Sequence, residues 1–255
     1  LYSFFSHGEI KAFMETRGSF DAAKWMEIKL APRVFSLSQY YNILIEDVSV
    51  LKFLINSAMY AGAILLGQAL VIPAMAYALS RFRFPGRDLI FFAVIMLMLL
   101  PFQVTMVPNV LTLRSLGLLN SAWAVILPIC FAPFYIFLLR QFMVGLPREI
   151  LEAAEIDGAG TFRCFVHVAL PISRPILGAA VALSFADCWN LVEQPLAYLA
   201  EQPRLLPLSV MFNQLTETSS GVEFAGAALY ILPALFVYLY FQKDILSGIQ
   251  LTELK

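Results

Sequence analysis

Two stretches of the sequence gather residue types that could do chemistry. The first is Asp187, Trp189, Asn190 and Glu193, near the end of an apolar run. Ionisable groups at membrane depth are costly and face a polar pathway or a partner. The indole of Trp189 offers a flat face on which a sugar ring can lie. Acids and tryptophan are also common where a membrane meets water. A pathway and an interfacial placement therefore both stand.

The second stretch is Glu152-Ala153-Ala154-Glu155-Ile156-Asp157-Gly158-Ala159-Gly160. Before it, Leu146-Pro147-Arg148-Glu149 places a proline and an acid where a helix starts. Gly158 supplies the left-handed conformation that closes a helix. A second short helix is expected from Thr161 to Val168, with Phe162, Phe165, Val166 and Ala169 as its apolar positions and Leu170-Pro171 ending it. Small Ala153, Ala154 and Ala159 would let such a helix–turn–helix sit deep in a partner's groove, with its acids meeting basic groups there. The plainer reading is a surface hairpin that links two spans.

Little else in the chain suggests chemistry. His7 and His167 are far apart, and there is no HExxH zinc pattern and no GxxxxGK[ST] phosphate loop. Cys130, Cys164 and Cys188 are widely spaced, without a CxxC pair. Gln68, Gln103, Thr105 and Asn109 interrupt apolar runs, either lining a pathway or hydrogen-bonding between helices.

The elements that must position these residues are membrane helices. The 255-residue chain is 60% hydrophobic and 14% charged, with a mean hydropathy of +0.77. About a quarter of a soluble domain is charged. Continuous apolar runs fall at about 53–79, 89–113, 121–143, 172–192 and 223–246, each long enough to cross a hydrocarbon core of roughly 30 Å. They do not alternate, which excludes a barrel. The fold class is thus all-α: a polytopic bundle of about five transmembrane helices. Prolines 73, 101, 108, 128, 133, 195 and 233 punctuate the runs and should kink them. Ala58/Gly62 and Ala63/Gly67 give small residues at the spacing that permits close helix approach. A net charge of −1 indicates no bulk attraction to nucleic acid.

Orientation follows from arginine and lysine in short loops. Arg81, Arg83 and Arg87 lie between runs one and two. Arg140, Arg148, Arg163 and Arg174 surround the loop at 144–171, and Lys243 and Lys255 close the chain. The opposite loops hold only Arg114 and Arg204. The arginine-rich side is expected in the cytoplasm. Residues 1–50, a mixed polar segment with one or two short amphipathic helices, and the polar loop at 200–222 would then lie outside. Residues 51–255 would form the membrane domain. An outside start calls for one more helix upstream, giving six spans in the full protein.

The spacing Glu152-Ala153-Ala154, three residues, Gly158, nine residues, Val168, one residue, Leu170-Pro171 resembles the EAA loop of ABC importer permeases, with valine where that pattern has isoleucine. Further segments resemble the carbohydrate (maltose-type) branch. They include Asn56-Ser57, Ala76-Tyr77-Ala78-Leu79-Ser80-Arg81-Phe82-Arg83-Phe84-Pro85-Gly86-Arg87, Gly117-Leu118-Leu119-Asn120-Ser121, Ile126-Leu127-Pro128, Phe137-Leu138-Leu139-Arg140-Gln141-Phe142 and Cys188-Trp189-Asn190. That branch carries an acid after Trp-Asn, where this chain has Leu191.

The resemblance implies a binding-protein-dependent permease of the cytoplasmic (inner) membrane, translocating a carbohydrate and performing no catalysis itself. Residues 152–158 would be a coupling helix. The coupling residues are Glu152, Ala153, Ala154, Glu155, Asp157, Gly158, Ala159, Leu170 and Pro171; the substrate pathway takes Asp187, Trp189, Asn190 and Glu193. Implied partners are a second permease in a heterodimer, two ABC ATPase subunits and an extracytoplasmic solute-binding protein, with surrounding lipid. No cofactor or metal belongs to this chain; ATP and Mg sit on the partner ATPase. Permeases for polyamines or phosphorylated polyols share the loop. An ion-coupled carrier would instead require buried ionisable residues in several runs, and only one such cluster is present.

Overall fold

The computed structural model describes residues 36–41, 44–45, 48–215 and 222–253, with positions 4 and 9. Most of the expected outer segment, with its amphipathic helices, and part of the 200–222 loop lie outside the described residues. Among the described residues every regular element is helical. In chain order these are α1 (Ser38–Tyr41), α2 (Val48–Arg81), α3 (Arg87–Leu99), α4 (Phe102–Ser115), α5 (Ala122–Cys130), α6 (Pro133–Val144), α7 (Arg148–Ile156) and α8 (Thr161–Ile172). They continue with α9 (Arg174–Trp189), α10 (Glu193–Tyr198), α11 (Leu208–Leu215) and α12 (Val222–Glu253).

Among the described residues, three stretches are long and apolar enough to cross a membrane as they stand: Val50–Arg81, Ala122–Val144 and Phe224–Leu246. Counting two bent pairs as spans gives five. The expected single run at 89–113 is one of these pairs. It breaks at Leu100-Pro101, and α3 and α4 meet at 110°. Proline at 101 removes a backbone donor and pushes Leu100 into extended geometry, φ −75° and ψ 126°. The run at 172–192 is the other pair. The second loop helix does not end at Leu170-Pro171. It continues to Ile172 through a π-turn at Phe165–Ala169, then bends by 73° into α9. Pro73, Pro108, Pro128 and Pro233 lie inside helices. The expected loop at 200–222 contains α11, with Leu208 and Val210 fully buried.

α2 is the central strut, packed on α5, α6, α9 and α11. One core cluster surrounds Tyr60, Ile64, Val125, Trp189 and Tyr198. The other surrounds Ala76, Ile136, Leu139, Met143 and Ala169. Gly67 sets the α2–α5 distance: a Cβ there would lie 2.2 Å from Cys130 Sγ. Gly62 meets no other helix of this chain and faces open space. In lipid, where helices gain little from apolar burial alone, such close approach is a main source of association.

The ends of the bundle sort the loops as the arginine pattern divides them. At one end Arg81 Nη2 donates to the carbonyl oxygens of Met143 (2.9 Å) and Leu146 (3.2 Å), tying α2 to the loop before α7. At the other, the Asn120 N–H donates to Tyr198 O at 2.9 Å, and Asn120 Nδ2 reaches Glu201.

Candidate functional sites

The loop expected to carry coupling is a defined structure. α7 starts after Pro147, with Glu149 in its first turn. At its other end Gly158 takes φ 83°. Ala159 N–H then donates to Ala154 O (2.9 Å) and Gly158 N–H to Glu155 O (3.0 Å), satisfying the last carbonyls. Leu151 is the residue α7 buries. Glu152, Ala153, Glu155, Ile156 and Asp157 are exposed, and Ala154 and Ala159 are half-buried. Ile156 is 87% exposed and Phe162 76%. Phe162, one of the apolar positions of the second loop helix, lies in the open. Packing falls instead to Cys164, Ala169 and Phe165, whose ring lies 5.0 Å from Tyr77. Leu170 and Pro171 lie in the last turn before the bend. A cleft of about 350 Å³ separates α7 from the end of α2, lined by Tyr77, Arg81, Arg83, Arg148, Glu152 and Glu155 among others.

The second site is a cleft of about 410 Å³ at the end of α9, lined by Ala186, Asp187, Asn190, Leu191, Val192, Glu193 and Gln194. Asp187 Oδ2 accepts a 2.6 Å hydrogen bond from the Tyr135 hydroxyl. Glu193 accepts from Gln103 Nε2 at 3.1 and 3.3 Å. The break between α3 and α4 makes that contact possible, because it turns the first turn of α4 toward α10. Asn190 Nδ2 donates to Ala186 O (2.8 Å), and its Oδ1 lies 2.8 Å from the Tyr230 hydroxyl. Asp187, Asn190 and Glu193 are exposed to the cleft.

Trp189 does not offer a free ring face. It is 3% exposed, stacked on Phe185 (5.4 Å) and against Tyr230 (5.8 Å), and its Nε1 donates to Tyr230 O at 3.0 Å. It builds the wall behind the cleft. The polar residues inside the runs mostly bond between helices. Gln68 Nε2 donates to Ile129 O (2.9 Å), and Ser184 Oγ donates to Gln68 Oε1. Thr105 caps its own turn on Phe102 O. Burial pushes the Tyr198 phenol above its ordinary value, and the neighbouring Asn109 opposes the shift.

Sequence reasoning missed the residues that frame the cleft. Tyr135 and Tyr230 look like ordinary aromatics of apolar runs. Asn56 and Ser57, singled out only by resemblance, hold the segment beyond α10. Asn56 Nδ2 donates to Arg204 O (2.9 Å) and Leu206 O (3.0 Å), Tyr60 to Leu205 O (2.9 Å), and Leu208 N–H to Ser57 Oγ (2.8 Å).

Residues 52–243 match the family described as binding-protein-dependent transport system inner membrane component. The chain belongs to that family. Among its relatives, a diacetylchitobiose uptake system permease protein of Streptomyces coelicolor is 34% identical, over 80% of this chain and 69% of the relative. An arabinooligosaccharides transport system permease protein of Bacillus subtilis is 29% identical, over 90% and 83%. An sn-glycerol-3-phosphate transport system permease protein of Yersinia pestis is 32% identical, over 77% and 71%. Among solved structures, a bacterial ABC transporter involved in the import of the acidic polysaccharide alginate covers 95% of this family member, with a TM-score of 0.77 and 24% identity over 86% of that chain. The fold is therefore that of an ABC importer permease.

Proposed function

We propose that this chain is the permease subunit of an ATP-driven importer for an uncharged carbohydrate, working with a second permease, two ATPase subunits and a solute-binding protein. The observation that carries the reading is the state of α7. It is closed at Gly158 and anchored through Leu151, yet presents Glu152, Ala153, Glu155, Ile156 and Asp157 outward. A helix with its C-terminal end satisfied and its face open is a lever awaiting a groove. ATP-driven closure of the ATPases would move α7. The Arg81 bonds to Met143 and Leu146 would carry that motion into α2 and α6.

The cleft at Asp187, Asn190 and Glu193 would form part of the pathway. Its carboxylates and carboxamide suit sugar hydroxyls. The glycerol-3-phosphate relative raises a second reading, a phosphorylated polyol. The lining argues against it: it includes the acidic Asp187 and Glu193, and among the described residues no lysine or arginine lines the cleft.

The test is Ala153→Trp in the assembled transporter. Loss of ATPase subunits on co-purification, or ATP hydrolysis without uptake, is expected while the protein still reaches the membrane. Wild-type assembly and uptake would return α7 to a linking hairpin.

A further inference from the structure

Arg83, in the turn after α2, and Arg87, the first residue of α3, carry no step of the transport reading, although Arg83 also borders the cleft between α2 and α7. Arg83, Phe84, Gly86, Arg87, Asp88 and Leu89 line a cleft of about 360 Å³. Arg140, on α6, reaches the same neighbourhood. Its guanidinium lies 4.0 Å from the centre of the Phe91 ring, and Phe91 stacks on Phe137. This holds the planar cation in place without neutralising it. Arg140 Nε is buried with no hydrogen-bond partner, and Nη1 makes one long contact of 3.4 Å with Gln141. Arg87 and Asp88 both act electrostatically on Arg140. Arg87 is paired with Asp88 through one carboxylate oxygen at 2.8 Å, and the Asp88 side chain is 82% exposed. Arg83 is exposed. Arg83 and Arg87 thus line one cleft, and Arg140 acts on its Arg87–Asp88 edge.

What adjoins them decides the ligand. Leu89, Ile90 and Phe92, immediately along α3, are 71%, 45% and 54% exposed. Arg140 itself belongs to a stretch apolar enough to span a membrane. The cluster therefore sits at the rim of an apolar outer surface, not on a face made only for water. Arginine forks match phosphate oxygens bidentately, and basic pockets between membrane helices take anionic headgroups.

We propose that Arg83, Arg87 and Arg140 form a binding site for the phosphate of an anionic phospholipid headgroup, with its acyl chains lying along Leu89 and Phe92. Asp88 tempers the site by holding part of Arg87. Bound lipid would fix the α3–α6 contact next to the loop that leads to α7.

The experiment uses the complete transporter in nanodiscs of mixed phosphatidylcholine and phosphatidylglycerol, with retained lipids counted by native mass spectrometry. Phosphatidylglycerol should be retained over phosphatidylcholine. Arg83→Gln and Arg87→Gln should each lower that retention about fivefold. Asp88→Asn should raise it, a gain that mere misfolding cannot produce. Equal retention in the Arg83→Gln/Arg87→Gln double variant would overturn the site. Displacement by millimolar inorganic phosphate as effective as by lipid would overturn the lipid assignment. So would loss of the ATPase subunits, rather than of lipid, from the same variants.

Discussion

The Tyr135 hydroxyl donates to Asp187 across 2.6 Å, joining the first turn of α6 to the end of α9 at the mouth of the cleft. A hydrogen bond to a charged group contributes about 1.5–3 kcal/mol. Tyr135→Phe should therefore lower the thermal stability of the purified protein. Combined with Asp187→Ala it should cost less than the two losses summed, by about 1 kcal/mol. Strict additivity in that cycle would show that the two side chains do not act as a pair.

Asn56 holds two carbonyls of the segment after α10. Removing it leaves both without their donor, at about 1–3 kcal/mol. Asn56→Ala should speed tryptic cleavage after the exposed Arg204. An unchanged cleavage rate would mean the segment is held by other contacts.

Gly67 and Gly62 make a matched pair. Alanine at 67 drives a methyl into Cys130 Sγ, whereas alanine at 62 meets nothing. Gly67→Ala should cost about 1–3 kcal/mol, and adding Cys130→Ala should return most of it. Gly62→Ala should be near neutral in the same thermal melt. Equal effects at both positions would refute the close α2–α5 approach.

At Gly158 the backbone sits at φ 83°. A β-branched residue there costs about 1–2 kcal/mol, whereas asparagine visits this region readily. Gly158→Val should abolish uptake while Gly158→Asn retains most of it, read against equal membrane levels. Full uptake in the valine variant would detach the turn from function.

The arginine distribution predicts which end of the bundle faces inward. A membrane-impermeant maleimide on intact cells should label Leu116→Cys, at the α4–α5 turn, and spare Arg83→Cys. The reverse pattern would invert the topology.

The apolar runs, and with them the all-α architecture, were plain in the sequence because composition over some twenty residues suffices to mark a span. The α7 turn was also legible, since Gly158 is a local signal. The break at Leu100-Pro101 was not: a proline within an apolar stretch has the same composition whether the helix passes straight or folds back. Its consequence, Gln103 meeting Glu193, joins residues 90 positions apart and leaves no local trace. Trp189 misled for a related reason. An indole beside Asp187 and Asn190 reads as a binding face until Phe185 and Tyr230 are known to cover it.

The 110° break also bears on how the protein is made. α3 and α4 have 13 and 14 residues, so each is about 20 Å long, short of a bilayer core of roughly 30 Å. Neither half can be released into lipid by itself as it leaves the ribosome. Each half is covered by a later element, α3 by α6 and α4 by α10. The packing that completes this span therefore draws on sequence translated nearly a hundred residues later.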